Sequence, residues 1–284
     1  ARRYAPAAVS ALEALRRGAI PAGATAAAAP AGRLEARYRV ELQGGELIQG
    51  DAAAKVTAVY FADLSDAAQR RSLGQLLTLQ GRDGLRLVVL PLPRFEPAGA
   101  AVGNGDSLRM ALAVVAMTAH MGVPDRRRLM GALGDPRLAD WSAVEALAVS
   151  LDMSAAALTK ALAAPATTVM LDRHIRLAAL VDARPGTLYL NGRRWTGGPL
   201  DSGMDAALKE VKAESAAIMA RGIPPRLVYP GLIAAGRRIS PAERDLQPPE
   251  RAANFSGVPD LGSAADKPAV DVHLFVDFSG LASR

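Results

Sequence analysis

Asp63, Ser65, Asp66 and Arg70 crowd into one short stretch, FADLSDAAQRR, directly after the apolar run Val56-Thr57-Ala58-Val59-Tyr60. An acid, a hydroxyl and a guanidinium this close could serve a non-thiol enzyme, with Asp63 as a buried acid. What fails is the base. A serine hydroxyl attacks only with His or Lys placed beside it, and no readable spacing puts one near Ser65. His120, His174 and His273 lie far apart, without the short spacing of a typical zinc site. The chain has no cysteine at all, which removes disulfides, thiolate metal sites, iron–sulfur clusters and cysteine nucleophiles together. No metal and no cofactor are expected, and an acid at a strand end reads more simply as structural.

Other chemistry-bearing patterns reduce to local structure. Gly103-x-Gly105 lacks the third glycine and the lysine of a phosphate loop, so Asp106 and Ser107 are read as the N-cap of a helix Leu108–Met121. Asp135, Asp140 and Asp152 are read as helix-capping acids and Trp141 as a core residue. Net charge is +6 with a pI near 10.0, yet aromatics are 4% and the basic residues are scattered. The run Arg126-Arg127-Arg128 therefore reads as a solvated face, and no nucleic-acid partner is expected. Met110–Val123, the longest mostly apolar run, is broken by Thr118 and His120 and falls short of the roughly 18 residues of a membrane span.

The elements that must position the opening stretch follow from periodicity. Val56–Ala62 is a buried strand, and Asp66–Leu79 a helix with Leu73, Leu76, Leu77 and, weakly, Ala67 on one face. Leu85–Leu90 is a second buried strand, stopped by PLPRF, so the unit is strand–helix–strand of parallel type. From Asp125 to Ala183 the chain reads helical, with breaks at Gly134-Asp135-Pro136, Asp152 and Pro165. RPGTLYLNGRRWTGG then gives a hairpin turning at Asn191-Gly192, and Leu200–Ala220 a long helix with Glu210 and Glu214 on its exposed side.

The opening stretch also has an echo. VTAVYFADLSDAAQRR aligns without a gap with VDVHLFVDFSGLASR at the C-terminus, and RRGAIP near the N-terminus resembles ARGIPP at Ala220–Pro225. Two similar offsets suggest a repeat. The expected organisation is the tail of one repeat and a linker over 1–33, a complete domain over 34–236, an extended Pro/Ala-rich connector over 237–268, and the first strand of another repeat over 269–284.

This ordered set resembles the DsbA-like thioredoxin domains, whose first strand ends in a motif of the form F-x-D-F-x-C-P-x-C-R. Phe61 and Asp63 match, Leu64 stands for the second Phe, and Arg70-Arg71 match the basic helix start. The cysteine places fall on Asp66 and Gln69, with Ala67 and Ala68 between them; in the C-terminal copy they fall on Gly280 and Ser283. The resemblance implies an α/β, thioredoxin-like fold with a helical insertion, one of several tandem copies. It also implies that RPGTLYLNG stands where the family has a cis-proline, so the Arg184–Pro185 bond is expected to be cis.

Thiol exchange needs a thiolate at the helix N-terminus attacking a disulfide, and Asp66 and Gln69 can do neither part. The expectation is a redox-inactive, non-enzymatic structural or interaction protein whose partners are other proteins in a larger assembly. Its location would be the periplasm or cell envelope, from the resemblance. The alternative is a peptide-binding or chaperone-like module using a groove formed by Arg184, Pro185 and Gly186 beside the vestigial turn.

Overall fold

Among the described residues six strands form one mixed sheet: β1 (Leu34–Arg37), β2 (Leu47–Gln49), β3 (Thr57–Ala62), β4 (Arg86–Pro91), β5 (Leu188–Leu190) and β6 (Arg193–Trp195), in the spatial order β1-β6-β5-β3-β4-β2. The computed structural model describes residues 32–94, 104–135, 138, 140–199 and 201–239. β3 and β4 are parallel, and every other pairing is antiparallel. A parallel pair needs a crossover, and α1 (Ala67–Asp83) supplies it. Its Leu73, Leu76 and Leu79 recur at helical spacing and are buried against the sheet.

Between β4 and β5 the described residues form five helices: α2 (Asn104–His120), α3 (Val123–Leu133), α4 (Trp141–Ser150), α5 (Ala155–Leu162) and α6 (Pro165–Leu180). Two more, α7 (Met204–Met219) and α8 (Pro225–Ala234), follow the hairpin. Helices cover both sides of the sheet. Ala58, Tyr60, Leu87 and Val89 face a layer built from α1, α3 and α7, while Val59, Phe61, Val88 and Leu90 face α6 and α8. That is why these strands read as unbroken apolar runs, and full burial of a side chain such as Phe61 or Leu90 contributes about 1.5–3 kcal/mol over exposure. Among the described residues no single helix is long and apolar enough to cross a membrane.

The hairpin is fixed by its turn and by one side chain. Asn191 and Gly192 both have positive φ, 47° and 79°, the conformation that a two-residue hairpin turn demands. A Cβ at position 192 would sit 2.6 Å from the Tyr38 carbonyl oxygen, so only glycine fits. The Asn191 amide then reaches across the sheet. Its Oδ1 accepts from the Thr57 N–H at 2.7 Å, and its Nδ2 donates to the Lys55 carbonyl and to Ser215 Oγ.

Some expectations change. α2 begins at Asn104, so Asp106 and Ser107 lie in its first turn and do not cap it. Asp140 does cap α4, accepting from the Ala143 N–H, but α5 is capped by Ser154, with Asp152 in a left-handed conformation before it. Sequence reading misses β1 and β2, which are short, and α8, whose apolar spacing is disguised by Pro224, Pro225 and an internal Pro230. The stretch expected to begin the connector is docked: the Arg237 N–H donates to the Arg37 carbonyl, and the Ile239 N–H to the Leu180 carbonyl. Residues 1–31, the rest of the connector, and the C-terminal copy with Gly280 and Ser283 lie outside the described residues.

His174 on α6 is buried, and neither ring nitrogen has a hydrogen-bond partner of normal geometry. Burial pushes the imidazole down from 6.5 to about 4, against a smaller upward pull from the Pro91 carbonyl. The unfolded chain therefore takes up this proton first. Stability conferred by the neutral ring is present above pH 6.5 and lost as pH falls towards about 4. Urea midpoints are expected to drop across that window, and His174→Phe is expected to flatten the drop. An equally steep fall in the variant would assign the slope to other groups.

Candidate functional site

β3 ends at Ala62, and the next residue puts a carboxylate into the interior: Asp63 is 2% exposed. Its Oδ1 accepts three hydrogen bonds, from the Ser65 N–H (3.0 Å), Ser65 Oγ (2.6 Å) and Ser107 Oγ (2.9 Å). Ser107, in the first turn of α2, also accepts from the Arg94 N–H at 2.8 Å. The Arg94 guanidinium lies 3.5 Å from Asp63 Oδ2 and donates to Asp66 Oδ2 at 2.8 Å. One buried acid thus gathers the end of β3, the segment after β4 and the start of α2.

Asp66 occupies the N-cap of α1, with extended backbone (φ −83°, ψ 118°) and its Oδ1 accepting from the Ala68 N–H at 2.7 Å. Partial burial alone would raise its carboxyl. The Ala68 N–H, the Arg94 guanidinium and the Gln69 N–H outweigh that and hold it below the usual carboxylate range. Gln69 also turns inward, its Oε1 accepting from the Asp63 N–H at 2.8 Å. Arg70 is buried beneath the turn and donates through Nη1 to the Leu64 and Ser65 carbonyls, both at 2.9 Å. Desolvation lowers the Arg70 pKa, and the Asp66 and Asp63 charges oppose that shift.

The Pro185 segment lies beside this turn, as the resemblance implies: a Cβ at Gly186 would lie 3.8 Å from the Gln69 side chain. Its geometry is different from that expected. No peptide bond among the described residues is cis, so the Arg184–Pro185 bond is trans. The reason is local. Pro185 and Gly186 are the central pair of a turn closed by the Thr187 N–H on the Arg184 carbonyl, with Gly186 at φ 93°. Proline followed by a residue of positive φ is the type II pattern, satisfied with a trans bond.

The main-chain donors of the segment are already used. The Arg184 N–H donates to Thr187 Oγ1, the Gly186 N–H donates to the Phe61 carbonyl at 2.7 Å, and Pro185 has none. Arg184, Pro185 and Gly186 therefore offer an extended peptide no N–H with which to pair. Sequence reading found Asp63 and the Asp66–Gln69 turn but missed Ser107 and Arg94 as its partners. Ser107 carried a signal that pointed to a cap, and Arg94 sits in a loop where periodicity says nothing.

As chemistry, the arrangement is static. Both serine hydroxyls donate to a carboxylate that carries structural bonds, and neither His120 nor His174 hydrogen-bonds to the cluster. Among the described residues no group of three or more His, Asp or Glu is placed to hold a metal.

No protein-family model matches this sequence, and no curated protein does. Solved structures do. The oxidised BdbD of Bacillus subtilis is similar over 63% of this chain and 98% of its own, at 14% identity and a TM-score of 0.50. The chain has a DsbA-like thioredoxin fold. A thioredoxin-like oxidoreductase from Silicibacter pomeroyi DSS-3 (18% identity, 64% and 95% covered, TM-score 0.47) is also similar. So is a periplasmic thioredoxin-like protein from Salmonella enterica serovar Typhimurium (15%, 63% and 94%, 0.48). Within this DsbA-like frame the insertion is α2–α6, and the turn opening α1 carries Asp66 and Gln69 without a thiol.

Two substitutions separate the parts of the cluster. Asp66→Ala removes a cap and a charge–dipole contact and is expected to cost ~1 kcal/mol. Ser107→Ala strands the Arg94 N–H and one bond to a buried carboxylate, at about 1–3 kcal/mol. Chemical melts of both variants check this; Ser107→Ala melting like the parent would show that the Asp63 carboxylate is satisfied without it.

Proposed function

We propose that this chain is a non-catalytic structural or interaction protein built on degenerate thioredoxin-like domains. On this reading it serves as an accessory subunit of a larger envelope-associated assembly. The observation that carries the reading is how positions 66 and 69 are used. Asp66 caps α1 and pairs with Arg94, and Gln69 ties down the Asp63 N–H. Both side chains are spent on holding the turn, so the place where a thiol pair would exchange has become a joint. A chain without cysteine cannot perform thiol–disulfide exchange. The placement in the periplasm or cell envelope extends the resemblance, and the tandem arrangement extends the internal sequence echo.

Peptide capture at Pro185 is the weaker reading. Strand addition depends on free main-chain donors and acceptors, and the Arg184 and Gly186 N–H groups are internally bonded.

Gentle crosslinking and pull-down of the intact polypeptide from its native source test the choice. A fixed set of partners in constant ratio is expected, and many unfolded clients would favour capture at Pro185. A second test addresses the turn. The double variant Asp66→Cys/Gln69→Cys places thiols at the N-cap and third position of α1, the spacing of the redox motif. It is expected to form an internal disulfide under mild oxidant. A pair that stays reduced would mean that the Asp63 cluster has remodelled the turn.

A further inference from the structure

A cavity of about 370 Å³ lies between the stretch around β2, the start of β4 and α8, and none of its lining residues belongs to the Asp63 cluster. Its charges are uneven in a telling way. Glu41 is paired with Arg39 at 2.6 Å and also with Arg238, so those three are satisfied. Glu46 and Arg86 are not. Glu46 is 4% exposed; its Oε1 accepts from the Gln43 and Gly44 N–H groups, while Oε2 is buried with no partner. The half-buried Arg86 guanidinium has no ion-pair partner among the described residues. A buried carboxylate oxygen without a donor is costly, and folded proteins seldom leave one without a use.

The sheet places these two groups at opposite ends of one floor. Ile48 pairs with Val88 across the β2–β4 ladder, and alternation puts residues 46, 48, 86 and 88 on the same face. Leu47 pairs with Val89 and Gln49 with Leu87, so Glu46 lies towards the end of β4 and Arg86 at its start. Ile48 lies between the two charges. The Tyr229 ring forms a fixed wall, because its hydroxyl donates to the Val40 carbonyl at 2.6 Å.

We propose that this cavity binds a small zwitterion of dipeptide size. Its ammonium group is held by Glu46 Oε2, its carboxylate by Arg86, and its apolar body lies over Ile48 beside Tyr229. The charge count selects this class. A purely cationic ligand leaves Arg86 unmatched, a purely anionic one leaves Glu46 unmatched, and a zwitterion satisfies both. The volume lies in the range of small-molecule sites, which are mostly apolar with a few placed polar groups.

Isothermal titration of the full chain with L-alanyl-L-alanine, its N-acetyl form and its amide tests the assignment. The free dipeptide is expected to bind, and each blocked form to bind at least ~10-fold more weakly, since each loses one charge-assisted hydrogen bond. Glu46→Gln keeps the acceptor that holds the Gln43 and Gly44 N–H groups but removes the charge. It should bind the dipeptide no better than the parent binds the N-acetyl form. Arg86→Gln should in turn erase the difference between the dipeptide and its amide, so the assignment does not rest on one variant. Asp66→Asn, outside the cavity, should bind as the parent does. No binding of the dipeptide, or equal binding of the blocked forms, overturns the proposal.

Discussion

A carboxylate buried at the end of a central strand must be satisfied from the protein itself, because water is not there to do it. Asp63 meets that demand by drawing on three separate parts of the chain. Ser65 comes from the turn, Ser107 from the first turn of α2, and Arg94 from the segment after β4. The position of the insertion at the sheet's end is therefore tied to one charged group, and the turn that opens α1 is tied to the same group. Beneath it Arg70 holds the Leu64 and Ser65 carbonyls, so the turn is gripped from both sides.

That grip holds the shape of the turn without any thiol. In a redox turn of this fold the thiols do the chemistry, while the surrounding helix and strands set geometry. Here Asp66 and Gln69 are part of the geometry itself. The Pro185 segment is held by internal bonds in the same way. It still lies against Gln69, yet its donors are closed into a trans turn and onto β3.

Much of this was legible from residue order. β3, α1, β4 and the hairpin are long or strongly patterned, and Asn191-Gly192 names its own turn. Asp66 caps α1, a role its residue type favours. Less legible were features decided by contacts between distant residues. β1 and β2 exist because β6 and β4 offer them partners, not because their own short stretches prefer to be strands. Ser107 and Arg94 acquire their role only when α2 is brought to the end of β3. The proline isomer was misjudged because resemblance was followed where the local sequence, Pro185-Gly186, already specified a trans turn.

The helical insertion has a consequence for how the chain assembles. β3 meets β4 after a single crossover helix, but it meets β5 only after the whole of α2–α6 has been traversed, Ala58 pairing with Leu190. Closing that long excursion costs configurational entropy, and nothing is regained until the hairpin docks. The Asn191 bonds to Lys55, Thr57 and Ser215 sit at the point of closure. A single amide side chain thus acts as the latch on a long-range contact on which the sheet's continuity depends.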